Sequence, residues 1–190
     1  MGQKTKTRIL SDQELQKFFG AFNLILKADF FYYHVFRLQF LTGLRISDMM
    51  LLNIENTKKK RFTIIEKKTE RFNKKRDVYL CDEAFQVAFN LRKLANRLDS
   101  YLILTKKNDS SYRRAIKNYC KKAKIKPDRV STNSLRKTMA NKIQVLKGAK
   151  AAKTFLNHSR METTEEYLDG SAETIENAID VISRGTKCPS

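Results

Sequence analysis

Histidine and cysteine are scarce in this chain of 190 residues: two histidines, His34 and His158, and three cysteines, Cys81, Cys120 and Cys188. Two histidines exclude a histidine-rich metal site. The cysteines are odd in number and unevenly spread, and they form neither a disulfide framework nor a metal-binding pattern, which points to a reducing, intracellular setting. Long apolar runs are missing as well. The most apolar stretch, DFFYYHVFRLQFLTGL, is too short to span a bilayer and carries His34 and Arg37. No secretory apolar segment opens the chain, and MGQKTK fails the myristoylation pattern because Lys6 stands where Ser or Thr is required. Internal repeats, low-complexity segments and interdomain linkers are also lacking. What remains is one domain with a real core, expected in the cytoplasm.

Acidic residues are outnumbered: 20 Asp and Glu face 39 Lys and Arg, for a net charge of +19 and a pI near 10.0. Such a balance points to a polyanionic partner, with nucleic acid first and an anionic membrane surface second. The positive residues gather in three places. Lys58, Lys59, Lys60 and Arg61 form the first. The run 67–76, with Lys67, Arg71, Lys74 and Lys75, forms the second. Arg113, Arg114 and Lys117, with Lys121 and Lys122 beyond, form the third. Any single lysine here is best read as a solvated side chain. The clusters together are better read as a surface that tracks phosphates.

Hydrophobic spacing predicts a mainly α-helical α+β domain with a small three-stranded antiparallel sheet. Ser11 and Glu14 make a capping box before Leu15, Phe18, Phe19 and Phe22. The segment 30–41 is apolar almost all round and reads as the central buried helix, ending at Thr42-Gly43. Arg45 sits in the joint to a new helix near Ser47, with Met50, Leu51 and Leu52 inward. RFTIIE and KRDVYL read as a β-hairpin with a lysine-rich tip, and SYLILT as a further strand. A helix from Asp82 carries Phe85, Ala88 and Phe89 on one face. Tyr112, Ala115, Ile116, Tyr119 and Ala123 give the clearest helical stripe. Leu135, Met139, Ile143 and Leu146 line the next helix, which stops at Gly148. A shorter one holds Ala151, Ala152, Phe155 and Leu156. Ile175, Ala178, Ile179 and Ile182 mark a last amphipathic helix. The expected organisation is a flexible basic lead-in over 1–10, the domain over 11–185 and a tail over 186–190.

Chemistry concentrates in the last third. Arg136 lies in a helical pattern, His158 follows, and Tyr167 comes nine positions later. Thr163 and Glu166 read as a helix start, whose positive dipole end favours an anion beside Tyr167. Taken singly, each residue has a plainer account. Arg45, Lys68 and Arg136 could be ordinary surface charges, His158 a helix-end cap, and Tyr167 one core tyrosine among seven.

Taken together, TGLRISDMMLL (42–52), Lys68-Thr69 on the hairpin, NSLR (133–136), LNHS (156–159) and Tyr167 stand in an order and spacing that resembles the catalytic domain of the tyrosine recombinase (phage integrase) family. The resemblance covers roughly 11–185. It implies strand cleavage by the Tyr167 oxygen, giving a covalent 3′-phosphotyrosine and a free 5′-hydroxyl without metal or cofactor. Arg45 and Arg136 would clamp the non-bridging oxygens with planar guanidinium forks. His158 would donate a further hydrogen bond. Lys68, by resemblance, would protonate the leaving oxygen. A tyrosine with a pKa of about 10 needs roughly 4 kcal/mol to ionise at pH 7, which nearby cations and a positioned base offset.

The sequence departs from the family pattern in three respects. Asn133 stands where the family has histidine, and an amide can hydrogen-bond to phosphate or phenol but cannot take up a proton near neutral pH. Asn157 replaces the usual glycine before His158. Only about ten residues precede the catalytic segment, where members usually carry a core-binding domain; a single-domain member and a fragment both fit. The implied partner is duplex DNA at a specific site, with a tetrameric synapse through the helix at 172–183. The competing expectations are a degenerate member that binds DNA without cutting it, and a type IB topoisomerase-like enzyme.

Overall fold

The computed structural model describes residues 7–67, 75–98, 100–104, 108–157 and 171–186. Ser11 starts helix α1 (Asp12–Gly20): its hydroxyl accepts from Glu14 N at 3.2 Å, and the Glu14 carboxylate accepts from Ser11 N at 3.0 Å. That is the expected capping box. Residues 7–10 of the lead-in are tied down. Arg8 makes two 2.8 Å bonds to Glu14, its amide donates to Arg129 O, and Leu10, buried, donates to Thr138 Oγ1.

Helix α2 (Lys27–Thr42) is buried along most of its length. Phe18, Phe19 and Phe22 meet Tyr33, Phe36 and Phe40 in tilted and edge-to-face contacts, and Phe22 stacks on Tyr119 with ring centroids 3.9 Å apart. The buried charged members of α2 have partners of opposite charge, although Arg37 Nη1 and Gln39 Oε1 have no hydrogen-bond partner among the described residues. Arg37 pairs with Glu83 at 2.6 and 2.9 Å and lies over the rings of Phe19 and Phe40. Asp29 accepts from Tyr119, Lys122 and Asn23. Gly43, left-handed at φ 61°, ends the helix. Helix α3 (Ile46–Met49) follows; Leu52 is buried as expected, whereas Leu51 is exposed because the helix ends before its inner face reaches that position.

Strands β1 (Arg61–Ile65) and β2 (Lys75–Tyr79) pair antiparallel, with Ile64 opposite Arg76. Among the described residues the sheet has two strands, not the three expected. The segment 100–104 makes one bridge, Asn53 to Leu102. Pairing stops there because Asn53 and Asn56 cap each other's amides, which turns the chain away into a 3-10 turn over Asn56–Lys58.

Helix α4 (Asp82–Asn96) buries Ala84, Val87, Ala88 and Leu91. The expected face was displaced. Phe85 is half-buried and Phe89 exposed, because both flank the Arg92 guanidinium at 5.3 and 5.5 Å. Helix α5 (Asp109–Lys122) carries its stripe as read. Helix α6 (Thr132–Phe155) is interrupted at Gly148 (φ 83°), where the sequence placed a stop. Leu146, expected inward, is exposed on the turn between Ile143, the last core residue before the interruption, and Gly148. Helix α7 (Ala172–Gly185) lays Ile175, Ala178, Ile179 and Ile182 against its own chain, chiefly α6. Arg61 pairs with Glu176, and the Tyr79 hydroxyl, held protonated by a pKa pushed up to about 12, donates to Asp180. The face that the resemblance assigned to a neighbouring protomer is covered here within the chain.

Candidate active site

Two helices end at one point. The C-terminal turn of α2, at Thr42 and Gly43, meets the C-terminal turn of α6, at Phe155 and Leu156. The approach requires glycine: a Cβ on Gly43 would lie 2.3 Å from two ring atoms of Phe155, and the left-handed backbone disfavours any side chain. The converging carbonyls make this point electronegative, and two buried guanidiniums occupy it.

Arg136, from the first turns of α6, is 4% exposed. Its Nη1 donates to Gly43 O and its Nη2 to Leu156 O at 2.7 Å. Burial, reinforced by Arg76 and Arg45, pushes its pKa down to about 9, so it stays charged at neutral pH. Arg76, from β2, is 6% exposed and donates to Thr42 O and Phe155 O, both at 2.9 Å, and to Gly43 O at 3.3 Å. Arg45, just past Gly43 and more exposed than the other two, donates to Glu66 at 2.9 Å and faces Asp48 at 3.7 Å.

Glu66 is the shared acceptor. Its carboxylate takes bonds from Arg45, from Arg76 at 3.4 Å and from the Asn157 amide at 3.2 Å, while 1% exposed. Asp48 accepts from the backbone of Lys67 at 3.0 Å, which fixes the end of the strand that leads to the hairpin tip. Among the described residues, three guanidiniums thus face two carboxylates, leaving one net positive charge. A phosphodiester carries one negative charge, so the arrangement suits such a group.

Arg45 and Arg136, far apart in sequence, are therefore brought together. Asn133 is exposed one turn before Arg136, with its backbone N–H donating to the hydroxyl of the capping Ser131. Lys68, His158 and Tyr167 lie outside the described residues, as do Arg71 and Lys74. Lys58, Lys59, Lys60, Arg61, Lys67, Lys75, Arg113, Arg114 and Lys117 are exposed. Several already hold acids: Lys58 with Glu55, Lys60 with Asp82, Arg61 with Glu176 and Arg113 with Asp109. Arg76, which the basic run 67–76 suggested as a surface charge, is instead internal. Glu66, Asp48 and Arg76 were not recognised as site members from sequence, although Glu66 and Arg76 continue the inward register of their strands. Among the described residues no group of His, Cys, Asp and Glu could hold a metal, and no helix is long and apolar enough to cross a membrane.

The helical order and the small hairpin are those of a tyrosine recombinase catalytic domain, and solved structures share the fold. XerA recombinase is 19% identical, with a TM-score of 0.67 over 97% of this chain and 67% of that one. The Tn1549 transposon integrase in complex with transposon right-end DNA is 17% identical, with a TM-score of 0.66 over 83% and 60%. A lambda integrase dimer bound to a COC′ core site is 16% identical, with a TM-score of 0.64 over 100% and 64%. The chain thus spans about two thirds of the length of these three proteins. The phage integrase family model matches residues 8–174, and the chain belongs to that family. No curated protein sequence matches it.

Proposed function

We propose that this chain is the catalytic domain of a site-specific DNA recombinase, acting in the cytoplasm on duplex DNA. The observation that carries the reading is the meeting of Arg45 and Arg136 at one junction whose described charges sum to a single positive unit. In the proposed step the Tyr167 oxygen attacks phosphorus and loses its proton. The bond to the 5′ oxygen breaks, and that oxygen leaves with a proton from Lys68. Arg45, Arg136 and His158 stabilise the charge on the non-bridging oxygens. A 5′-hydroxyl from a second end reverses the step and joins the strands. Asn133 offers a hydrogen bond to phosphate or phenol and no proton uptake. Assembly of four subunits on DNA, with α7 exchanged between them, belongs to the same proposal.

The decisive experiment is covalent capture. A suicide duplex is built on a site selected by binding from random sequence, and an SDS-resistant protein–DNA adduct is sought. An adduct that disappears in Tyr167→Phe supports the recombinase. A bound site that gives no adduct favours a second reading, a DNA-binding member without cleavage, for which Asn133 is the motive. Relaxation of supercoiled DNA lacking any selected site would point to a type IB topoisomerase-like activity instead. Where adduct forms slowly, Asn133→His should speed it if the missing imidazole limits the rate.

A further inference from the structure

Arg76 is costly to bury. A guanidinium is tolerated in a protein interior only where its donors are met, and the planar fork meets several acceptors at once where a lysine cannot. Three of the carbonyls it reaches belong to two helix ends: Thr42 and Gly43 close α2, and Phe155 closes α6. Its other hydrogen-bond acceptor is Glu66, which also takes Arg45 and Asn157. The groups it fixes are thus neighbours in the chain of the groups assigned to the phosphate. Arg45 follows Gly43 by two residues, and His158 follows Phe155 by three. Arg76 and Arg136 also share the Gly43 carbonyl, so their positions are coupled.

We propose that Arg76 is a positioning residue of the phosphate site: without touching DNA, it sets the spacing of the α2 and α6 exits so that Arg45 and Arg136 engage one phosphodiester together. The kinetic part rests on the recombinase reading; the geometric part stands without it. Lysine keeps the charge and loses the fork, so it cannot hold two helix ends.

The test compares wild type with Arg76→Lys and Arg76→Met on the selected suicide duplex. Thermal melting first establishes the folded fraction, to which all rates are normalised. Noncovalent affinity should stay within about twofold and keep its salt slope, because no phosphate contact is lost. The rate of adduct formation should fall by about 10- to 100-fold in both variants, since small misplacements cost on that order. Equal losses in lysine and methionine would assign the effect to the fork rather than the charge. A salt slope reduced by about one would make Arg76 a phosphate contact and overturn the proposal. So would an unchanged rate per folded molecule. If wild type forms no adduct, the recombinase reading fails and the NMR signals of the Arg45 and Arg136 side-chain Nε–H groups decide. Both should shift when the duplex binds wild type, and at least one should lose its shift in the Arg76→Met complex; identical shifts in the two proteins would sink the idea.

Discussion

Gly43 meets three requirements with one residue. It adopts φ 61°, it lies flush against Phe155, and its carbonyl accepts from both Arg76 and Arg136. Gly43→Ala should therefore destabilise the protein by about 2–5 kcal/mol, the sum of a left-handed alanine and an overpacked contact. Urea unfolding would measure it, and a loss below about 1 kcal/mol would mean that Phe155 swings aside at little cost. The end of α2 at Thr42-Gly43 was readable in sequence, as was Arg45 in the joint beyond it. The contact with Phe155 was not, since nothing local announces which distant side chain will cover a glycine. Glu66 and Arg76 fall between these cases. Phe62 and Ile64 alternate along β1 with Glu66 just past its end, and Arg76 and Val78 along β2 with Leu80 just past its end, so both charges continue the inward register. The signal was present, but the surrounding lysines of the hairpin tip made both residues look like surface charges.

Among the elements, those with a continuous 3.6-residue stripe were legible. Helices α1, α5 and α7 bury the residues their spacing named. The errors arose where a polar side chain nearby in sequence outweighed the apolar pattern. Arg92 draws Phe85 and Phe89 of α4 out of the core, and the turn at Asn53–Asn56 limits the third strand to one bridge. Helix α7 has a readable apolar face, yet sequence could not say which chain it packs on. Its polar side is latched to the rest of the domain by Arg61–Glu176, Tyr79–Asp180 and Arg37–Thr186. The first of these is exposed on the arginine side, so salt should screen it. Glu176→Gln is expected to speed amide hydrogen exchange across α7 at low ionic strength. The difference from wild type should close at about 1 M salt, where the Debye length is near 3 Å. A difference that persists there would mean that shape rather than charge holds the contact.

At the scale of the whole molecule, the net charge of +19 overstates what is free to meet DNA. Arg37, Arg76, Arg92 and Arg136 are buried and serve the interior. Lys58, Lys60, Arg61 and Arg113 already hold carboxylates that a phosphate would have to displace. Of the surface candidates, Lys59, Lys67, Lys75, Arg114 and Lys117 make no ion pair with another described residue and are the readiest to release counterions on binding. A count of about six phosphates is then more reasonable than ten, and affinity should fall by about 10³ between 50 and 200 mM salt rather than by 10⁵. Titration of a fluorescent duplex across that range would give the slope directly. Arg114→Ala with Lys117→Ala should lower its magnitude by about two and weaken binding alike on selected and unrelated sequences, because phosphate contacts carry no sequence information. Loss confined to the selected site would instead put α5 against base edges. A slope unchanged by the double substitution would move the DNA surface away from α5, towards the hairpin and its basic approach at Lys58–Arg61.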